Sequence, residues 1–437
     1  MSKKSTRLEA LKEIFDENGI SADAIERNDA LIEKIKKNAY AVKDYRHQSY
    51  VKHQLCDIIM ITFFAILGNA NEWEEIESFA RKKEKWLRKY LELPYGIPTD
   101  DTFRLVIGNI NTDHFFRVTV KMLLETVDEI IELSGKETAI NEKGILAVDG
   151  KESRGSKRKA GTDEEVKALQ TLNVYSCEYG MCVEQKFIQE KTNEIPAAQE
   201  ILRRMDLKNT IVTADAMNCQ KDTVKAITES KGEYVLALKG NQHLFHEEVK
   251  EYFDERKQEE LKERENCYRK TVEKEHGGTA IREYFITKDI EWYSERSEWE
   301  KLKSIGMVKK KMCRPDGSCE EEKRYYICSI EENVDEFERA ARGHWGVENN
   351  LHWQMDFTFQ DDKNTSMAKT GAKNLQIMKK IAMSILRLVK DSYKMSMKRI
   401  RYELSLDYEN GIEKMLSMLD INSITAALTS TGSSSSK

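Results

Sequence analysis

Regularly spaced cysteine is missing from this 437-residue chain: its eight cysteines form neither a dense disulfide framework nor a single C-x2-C pair of the zinc-knuckle kind. That scatter points to reduced thiols in a cytoplasm, and the pairs in "CEYGMC" and "CRPDGSC" read as incidental hairpin residues. Long apolar runs are missing too. The first, "IIMITFFAIL" at 58–67, has ten residues, whereas a bilayer-crossing helix needs about 20. It lies far from the terminus within charged sequence, so it reads as a buried helix and not as a secretory signal, and no membrane partner is expected. A large excess of one charge is also absent. The net charge of −5 offers no global reason to expect nucleic-acid binding. No convincing internal repeat is visible.

What is present is a well-charged globular composition, 40% hydrophobic and 34% charged, in a chain long enough for two or three domains. Residues 1–140 are amphipathic, poor in Gly and Pro, and predict a helical N-terminal domain, with "IPTDDTF" offering an Asp N-cap to one of its helices. The pattern then changes. "GILAVDG" reads as a buried strand, "LQTLNVYSC" and "MCVEQKFIQ" as a hairpin, and "NTIVTADA" and "EYVLALKGN" as strands that follow helices. Three strands, helix, strand, helix, strand is the order of an RNase H-like core, expected over 141–250. From 251 to 333 the alternation in "CYRKTVEKEH", "TAIREYFITK", "SIGMVKKKMC" and "KRYYICSI" predicts a β-rich insertion. Helical sequence over 334–405 would complete the core, and 406–437 form a C-terminal tail whose Ser-rich end has nothing to bury. From Lys363 to Tyr402 there are eleven Lys or Arg against one acid, Asp391. Met378, Ile381, Ala382, Ile385, Leu388 and Val389 recur there at helical spacing, which predicts an amphipathic helix with a basic outer face, solvated or turned to DNA.

Chemistry concentrates in carboxylates. Asp149 and Asp215 each close a predicted buried strand, the usual place for a site in an open α/β sheet. Either one alone reads equally as a turn or capping residue. In "GHWGVENNLHW", His344, Glu348 and His352 follow at intervals of four and share one face of a helix. As zinc ligands they would span more than two turns, too far for one ion. Glu348 as a third acid instead gives three hard oxygen donors, suited to Mg²⁺ or Mn²⁺ and to phosphoryl transfer. Trp292, Trp299, Trp345 and Trp353 read first as packing residues.

"LAVDGKESRGS", "TADAMNCQKDT", "LALKGNQ" and "HWGVENNLHWQMDFTFQDD" resemble the signatures of the DDE insertion-sequence transposases of the H-repeat-associated (ISAs-type) family. "WEEIESFARKKEKWLRKYLELPYGIPTDDTFRLVI" resembles that family's associated domain, and the similarity runs in order from about residue 40 to 390. It implies an RNase H-like catalytic core carrying the β-rich insertion between the second and third acids, with Asp149, Asp215 and Glu348 as metal-holding catalytic triad. The activity implied is Mg²⁺-dependent DNA cleavage and strand transfer, with Mn²⁺ as a substitute, on double-stranded DNA comprising the element's inverted-repeat ends and a target. A homodimer is implied because two ends must be joined, and the location implied is the bacterial cytoplasm, on the nucleoid when DNA is bound.

One departure stands out. A related signature carries Tyr, Arg, Glu and Lys around the third acid, and the matching positions here are Ala341, His344, Glu348 and Met355. Arg342, His344, and Lys369 and Lys373 of "KTGAKN" are the candidates to take the place of that clamp, and Lys151 and Arg154 after the first acid, with Lys239, are further candidate DNA contacts. The alternatives are a catalytically inactive DNA-binding derivative and a metal-dependent nuclease without strand transfer.

Overall fold

The computed structural model describes residues 22–133, 143–157, 167–188, 194–275, 277–363 and 370–417. Lys369 and the Ser-rich end lie outside them. The described residues fall into two compact units, one drawn from Met1–Thr138, Ser153–Leu169 and Trp353–Leu428, the other from Ala139–Glu152 and Gln170–His352.

The first unit begins with helices α1 (Ala22–Ala41), α2 (Leu55–Leu67), α3 (Trp73–Lys82), α4 (Glu84–Leu87), α5 (Asp100–Gly108) and α6 (Thr112–Leu133). The apolar run at 58–67 lies in α2, and every residue of α2 is buried, as befits a helix apolar on all sides. Among the described residues, no helix is long and apolar enough to cross a membrane. At α5 the expected Asp cap is corrected. Thr99 is the N-cap and accepts from the Thr102 amide, while Asp100 and Asp101 occupy the first turn, where a carboxylate meets the positive end of the helix dipole.

The second unit is built on one nine-stranded sheet. Its strands are β1 (Gly144–Ser153), β2 (Leu169–Ser176), β3 (Met181–Ile188), β4 (Thr210–Ala214), β5 (Glu233–Leu238), β6 (Tyr268–Glu275), β7 (Gly278–Thr287), β8 (Ser304–Cys313) and β9 (Cys319–Cys328), ordered β3-β2-β1-β4-β5-β9-β8-β7-β6. β1, β4 and β5 are parallel. β9 adds antiparallel to β5, so the segment read as an insertion extends the core sheet and is not a separate β layer. Helices α7 (Glu194–Arg204), α8 (Lys221–Glu229), α9 (His243–Tyr252), α10 (Glu255–Lys262) and α11 (Val334–Gly346) accompany the sheet.

Alternation sorts the strand residues between two cores. Ala197, Ile201, Val224 and Ile227 of α7 and α8 pack with Val148, Val212 and Leu236. Val334, Phe337, Ala340 and Ala341 of α11 pack with Ile145, Ile211, Val235 and Cys328. Two close approaches seat α11. A Cβ on Gly306 of β8 would stand 2.4 Å from the Phe337 ring, and one on Gly343 of α11 would stand 2.9 Å from Ile145. The cysteine reading needs one correction. Cys313 and Cys319 are register partners across the β8–β9 hairpin and are joined by a disulfide. Cys177 and Cys182 are not bridged to each other, since the hairpin register pairs Cys182 with Tyr175.

After His352 the chain supplies α12 (Trp353–Phe357), α13 (Thr370–Tyr393), α14 (Met397–Leu406) and α15 (Tyr408–Ser417), which group with the N-terminal helices and not with the sheet. α13 packs on α2, α5 and α6. Its apolar positions are buried as expected, but the basic outer face is corrected: Lys379 and Lys380 of α13 and Arg401 of α14 are buried as well. With neighbours on several sides, α13 has no continuous outer face on which to carry its cations. Arg401 is satisfied by the carbonyls of Ile66, Ala70 and Thr358 and by Asn71 Oδ1, so its charge serves the packing of this unit.

Candidate active site

The two aspartates come together through strand register. Val148 pairs with Ala214, the last step of the β1–β4 ladder, so Asp149 on β1 and Asp215 just past the end of β4 take the next position on neighbouring parallel segments about 4.8 Å apart. Residues two apart share a face, which sets Asp149 with Ile145 and Asp215 with Ile211, on the side covered by α11. Asp149 does not end its strand. β1 runs on to Ser153, so Lys151 is a buried strand residue and not the loop cation expected.

Each aspartate is held. Asp149 Oδ1 accepts from the Gly150 amide at 2.9 Å, and Oδ2 lies 3.3 Å from His352 Nδ1. The other ring nitrogen of His352 is 3.2 Å from Asn173 Nδ2. Asp215 caps a short turn, accepting from the Asn218 amide at 3.2 Å and from Asn218 Nδ2 at 3.0 Å. Glu194, a buried fourth acid, accepts from the same Asn218 Nδ2 at 3.5 Å, with its carboxylate against Gly150.

Glu348 reaches the site through a change of helix type. α11 passes at Gly346 into a π-helical turn, Val347–His352, before α-helix resumes. Such turns are rare and recur at functional sites. The turn carries Glu348 between His344, on which the Asp149 charge acts, and His352, whose Nδ1 lies 3.3 Å from Asp149 Oδ2. Glu348 and Asn349 are exposed.

His344 reports how the acids meet. It is half-buried, with Nδ1 3.4 Å from Thr213 Oγ1. Burial holds its pKa below the ordinary histidine value, while Asp149, Asp215 and Glu348 each pull it upward and Arg324 of β9 pushes it down. All three carboxylates therefore act on one imidazole. Their chemistry, oxygen donors only, suits a hard divalent ion. Among the described residues no group of three His, Cys, Asp or Glu side chains is arranged to hold a metal ion, and this covers His344, Glu348 and His352 as much as the three acids.

The expected DNA contacts divide. Lys239 is exposed at the end of β5, and Arg154 is exposed in the first unit with its amide bonded to Asp362. Arg342 is tied to Glu273 at 2.7 and 3.2 Å, which raises its pKa and commits its guanidinium within the sheet unit. Lys373 is half-buried on α13. Trp299 is buried, and Trp292 stacks on Tyr252 with ring centres 5.3 Å apart. Trp353 stacks on Phe357 at 4.5 Å. Asn173, Asn218, Glu194 and Arg324 were missed. Asn218 lies in the quoted "TADAMN" and its placement after a strand-end acid was the one available signal; the other three carry no local mark.

Residues 140–385 match the family model described as Transposase DDE domain, and residues 40–122 match the one described as DDE_Tnp_1-associated. The transposase-type protein YncI of Escherichia coli O157:H7 is 34% identical over 373 residues, covering 84% of this chain and 90% of that protein. The H repeat-associated transposase-type protein YhhI of Escherichia coli K12 is 29% identical over 364 residues, covering 81% and 90%. A piggyBac transposase in a synaptic complex with hairpin DNA aligns with a TM-score of 0.35 at 10% identity, over 93% of this chain and 80% of that one, too remote to bear on the site. With more than half its length matched to the DDE domain and its associated domain in front, the chain belongs to the DDE transposase family alongside the H repeat-associated proteins.

Proposed function

We propose that this chain is an insertion-sequence transposase that binds the inverted-repeat ends of its element on double-stranded DNA and catalyses metal-dependent cleavage and strand transfer. The observation that carries the reading is the β1–β4 register, which sets Asp149 and Asp215 side by side on the face covered by α11, the helix that leads to Glu348. The order β3-β2-β1-β4-β5, with β1, β4 and β5 parallel, supports an RNase H-like core behind a helical N-terminal domain. Asp149, Asp215 and Glu348 would hold Mg²⁺, or Mn²⁺ in its stead, as hard oxygen donors do. Bound as a pair, such ions would lower the pKa of an attacking water and offset the charge on the departing oxygen.

The chain's own residues orient two of these acids. Gly150 and His352 hold Asp149, and Asn218 holds Asp215, while Glu348 would be drawn in beside them on metal binding. In the first step, water attacks a phosphodiester at the element's end, the bond from phosphorus to the 3′ oxygen breaks, and that oxygen leaves as a 3′-hydroxyl. In the second, this hydroxyl attacks a target phosphodiester and displaces its 3′ oxygen. Two ends must be held together for this, which favours a homodimer. Of the expected DNA contacts, Arg154 and Lys239 are retained as exposed cations, while Lys151 and Arg342 are set aside.

The test is Glu348→Gln in the full chain, assayed on a duplex carrying the element's end. Cleavage in Mg²⁺ should fall by at least about a hundredfold, with DNA binding in Ca²⁺ retained. Cleavage at the wild-type rate would refute the assignment. Joining of the 3′ end to a second duplex distinguishes a transposase from a nuclease.

A further inference from the structure

Along the sheet edge that carries the two aspartates, the charge changes sign. Leu238 of β5 pairs with Tyr325 of β9. One step further Lys239 and Arg324 stand at the same edge, on the α11 side by alternation with Ala237 and Tyr326. The Arg324 guanidinium lies 5.1 Å from the centre of the Trp345 ring. It interacts electrostatically with both Glu348 and His344.

Two other cations approach the same ring, Arg282 at 5.2 Å and Lys310 at 5.8 Å. Both are committed elsewhere. Arg282 is buried and bonded to Glu273 and Glu275, and Lys310 is paired with Glu275 at 2.8 Å. A ring approached by three cations is a platform for guanidinium and ammonium groups, not a surface for a nucleobase. Arg324 differs from the other two in its partner. It pairs at 2.7 Å with Glu322, two residues back on its own strand and 55% exposed. A solvent-exposed pair of this kind is weak, and a phosphate that accepts two parallel N–H bonds can displace it.

We propose that Arg324, laid on Trp345, is a phosphate contact of the candidate active site and binds a DNA backbone phosphate beside the bond to be cut. The inference rests on the transposase reading above. It answers the departure noted in the sequence. Ala341 and Met355 are buried and uncharged, so α11 and its continuation bring no cation from those positions to Glu348. The strand β9, which belongs to the segment between the second and third acids, supplies one instead, with Lys239 as its neighbour.

The experiment uses the full chain and a duplex bearing the terminal repeat that borders its own gene. Binding is measured in Ca²⁺ over a range of salt, and cleavage in Mg²⁺. Arg324→Gln should weaken binding several-fold on this duplex and on an unrelated one alike, and should lower the salt slope by about 1. Arg324→Lys should recover part of the affinity. Glu322→Gln, which removes the competing carboxylate and keeps the cation, should tighten binding. Wild-type affinity and slope in Arg324→Gln would overturn the proposal. Should that variant fail to fold by circular dichroism, unchanged affinity in Glu322→Gln would overturn it. Binding and cleavage by the wild-type chain keep the transposase reading standing whichever way Arg324 falls, whereas a wild-type chain that does not bind the duplex overturns both.

Discussion

The ammonium of Lys379 is fully buried on α13, and its Nζ has no hydrogen-bond partner among the described residues. Burial pulls its pKa down from 10.5 to about 8, against the partial support of Asp361, Glu72 and Glu75 and the opposition of Arg401. Between these two values the unfolded chain holds the proton that the folded chain has released. Stability contributed at this site therefore rises with pH from about 8 to about 10.5 and carries its full penalty, roughly 3 kcal/mol, below about 8. Lys379→Met should raise the unfolding free energy at pH 7 by a few kcal/mol at most and remove that rise, as read by urea titration at several pH values. A variant less stable than wild type at pH 7 would show that the charge is needed where it lies. Asp149, Asp215 and Glu348 could be picked out in the sequence because acids at strand ends and on the following helix are unusual in combination. Arg324 could not. In "EEEKRYY" it is one charge among several, and only the register of β9 on β5 brings it to the acids' edge.

At the scale of elements, the helix that bears His344 and leads to Glu348 is set by contact with the sheet. Gly306 admits the Phe337 ring, and Gly343 brings α11 down on Ile145. Gly306→Ala should cost about 1–3 kcal/mol through overpacking. It should also displace α11 and lower cleavage by about ten- to a hundredfold in protein that remains folded. Cleavage at the wild-type rate in folded Gly306→Ala would mean that the seating of α11 is not what positions Glu348. The strands were readable because alternation between charged and apolar residues survives in sequence, and all four segments of the insertion are strands. The π turn was not readable. Val347 and Leu351 are buried in it, and no residue type in "VENNLH" specifies it.

In the molecule as a whole, the chain leaves its first helices, builds the sheet, and returns to complete the first unit with α12–α15. Arg401 is central to that return, since its guanidinium bonds to the end of α2 and to the residues that follow it, and to the Thr358 carbonyl after α12. Arg401→Met should destabilise the chain by about 3–5 kcal/mol because buried carbonyls lose their donor. Arg401→Lys should rescue little, since an ammonium cannot reproduce the planar fork. A melting temperature unchanged in Arg401→Met would refute this role.

Taken by itself, the sequence determined the family resemblance and the order of strands and helices, and it marked three carboxylates as candidates, because periodicity and the placement of acidic side chains are local properties. It misread the cations. Whether a lysine or arginine is solvated, buried or turned toward a phosphate depends on which elements enclose it, and that is decided only by tertiary packing. Lys379 and Arg401 became part of a helical core, Arg342 was taken up by Glu273, Lys151 was drawn into β1, and Arg324 was brought by sheet register to the neighbourhood of Glu348.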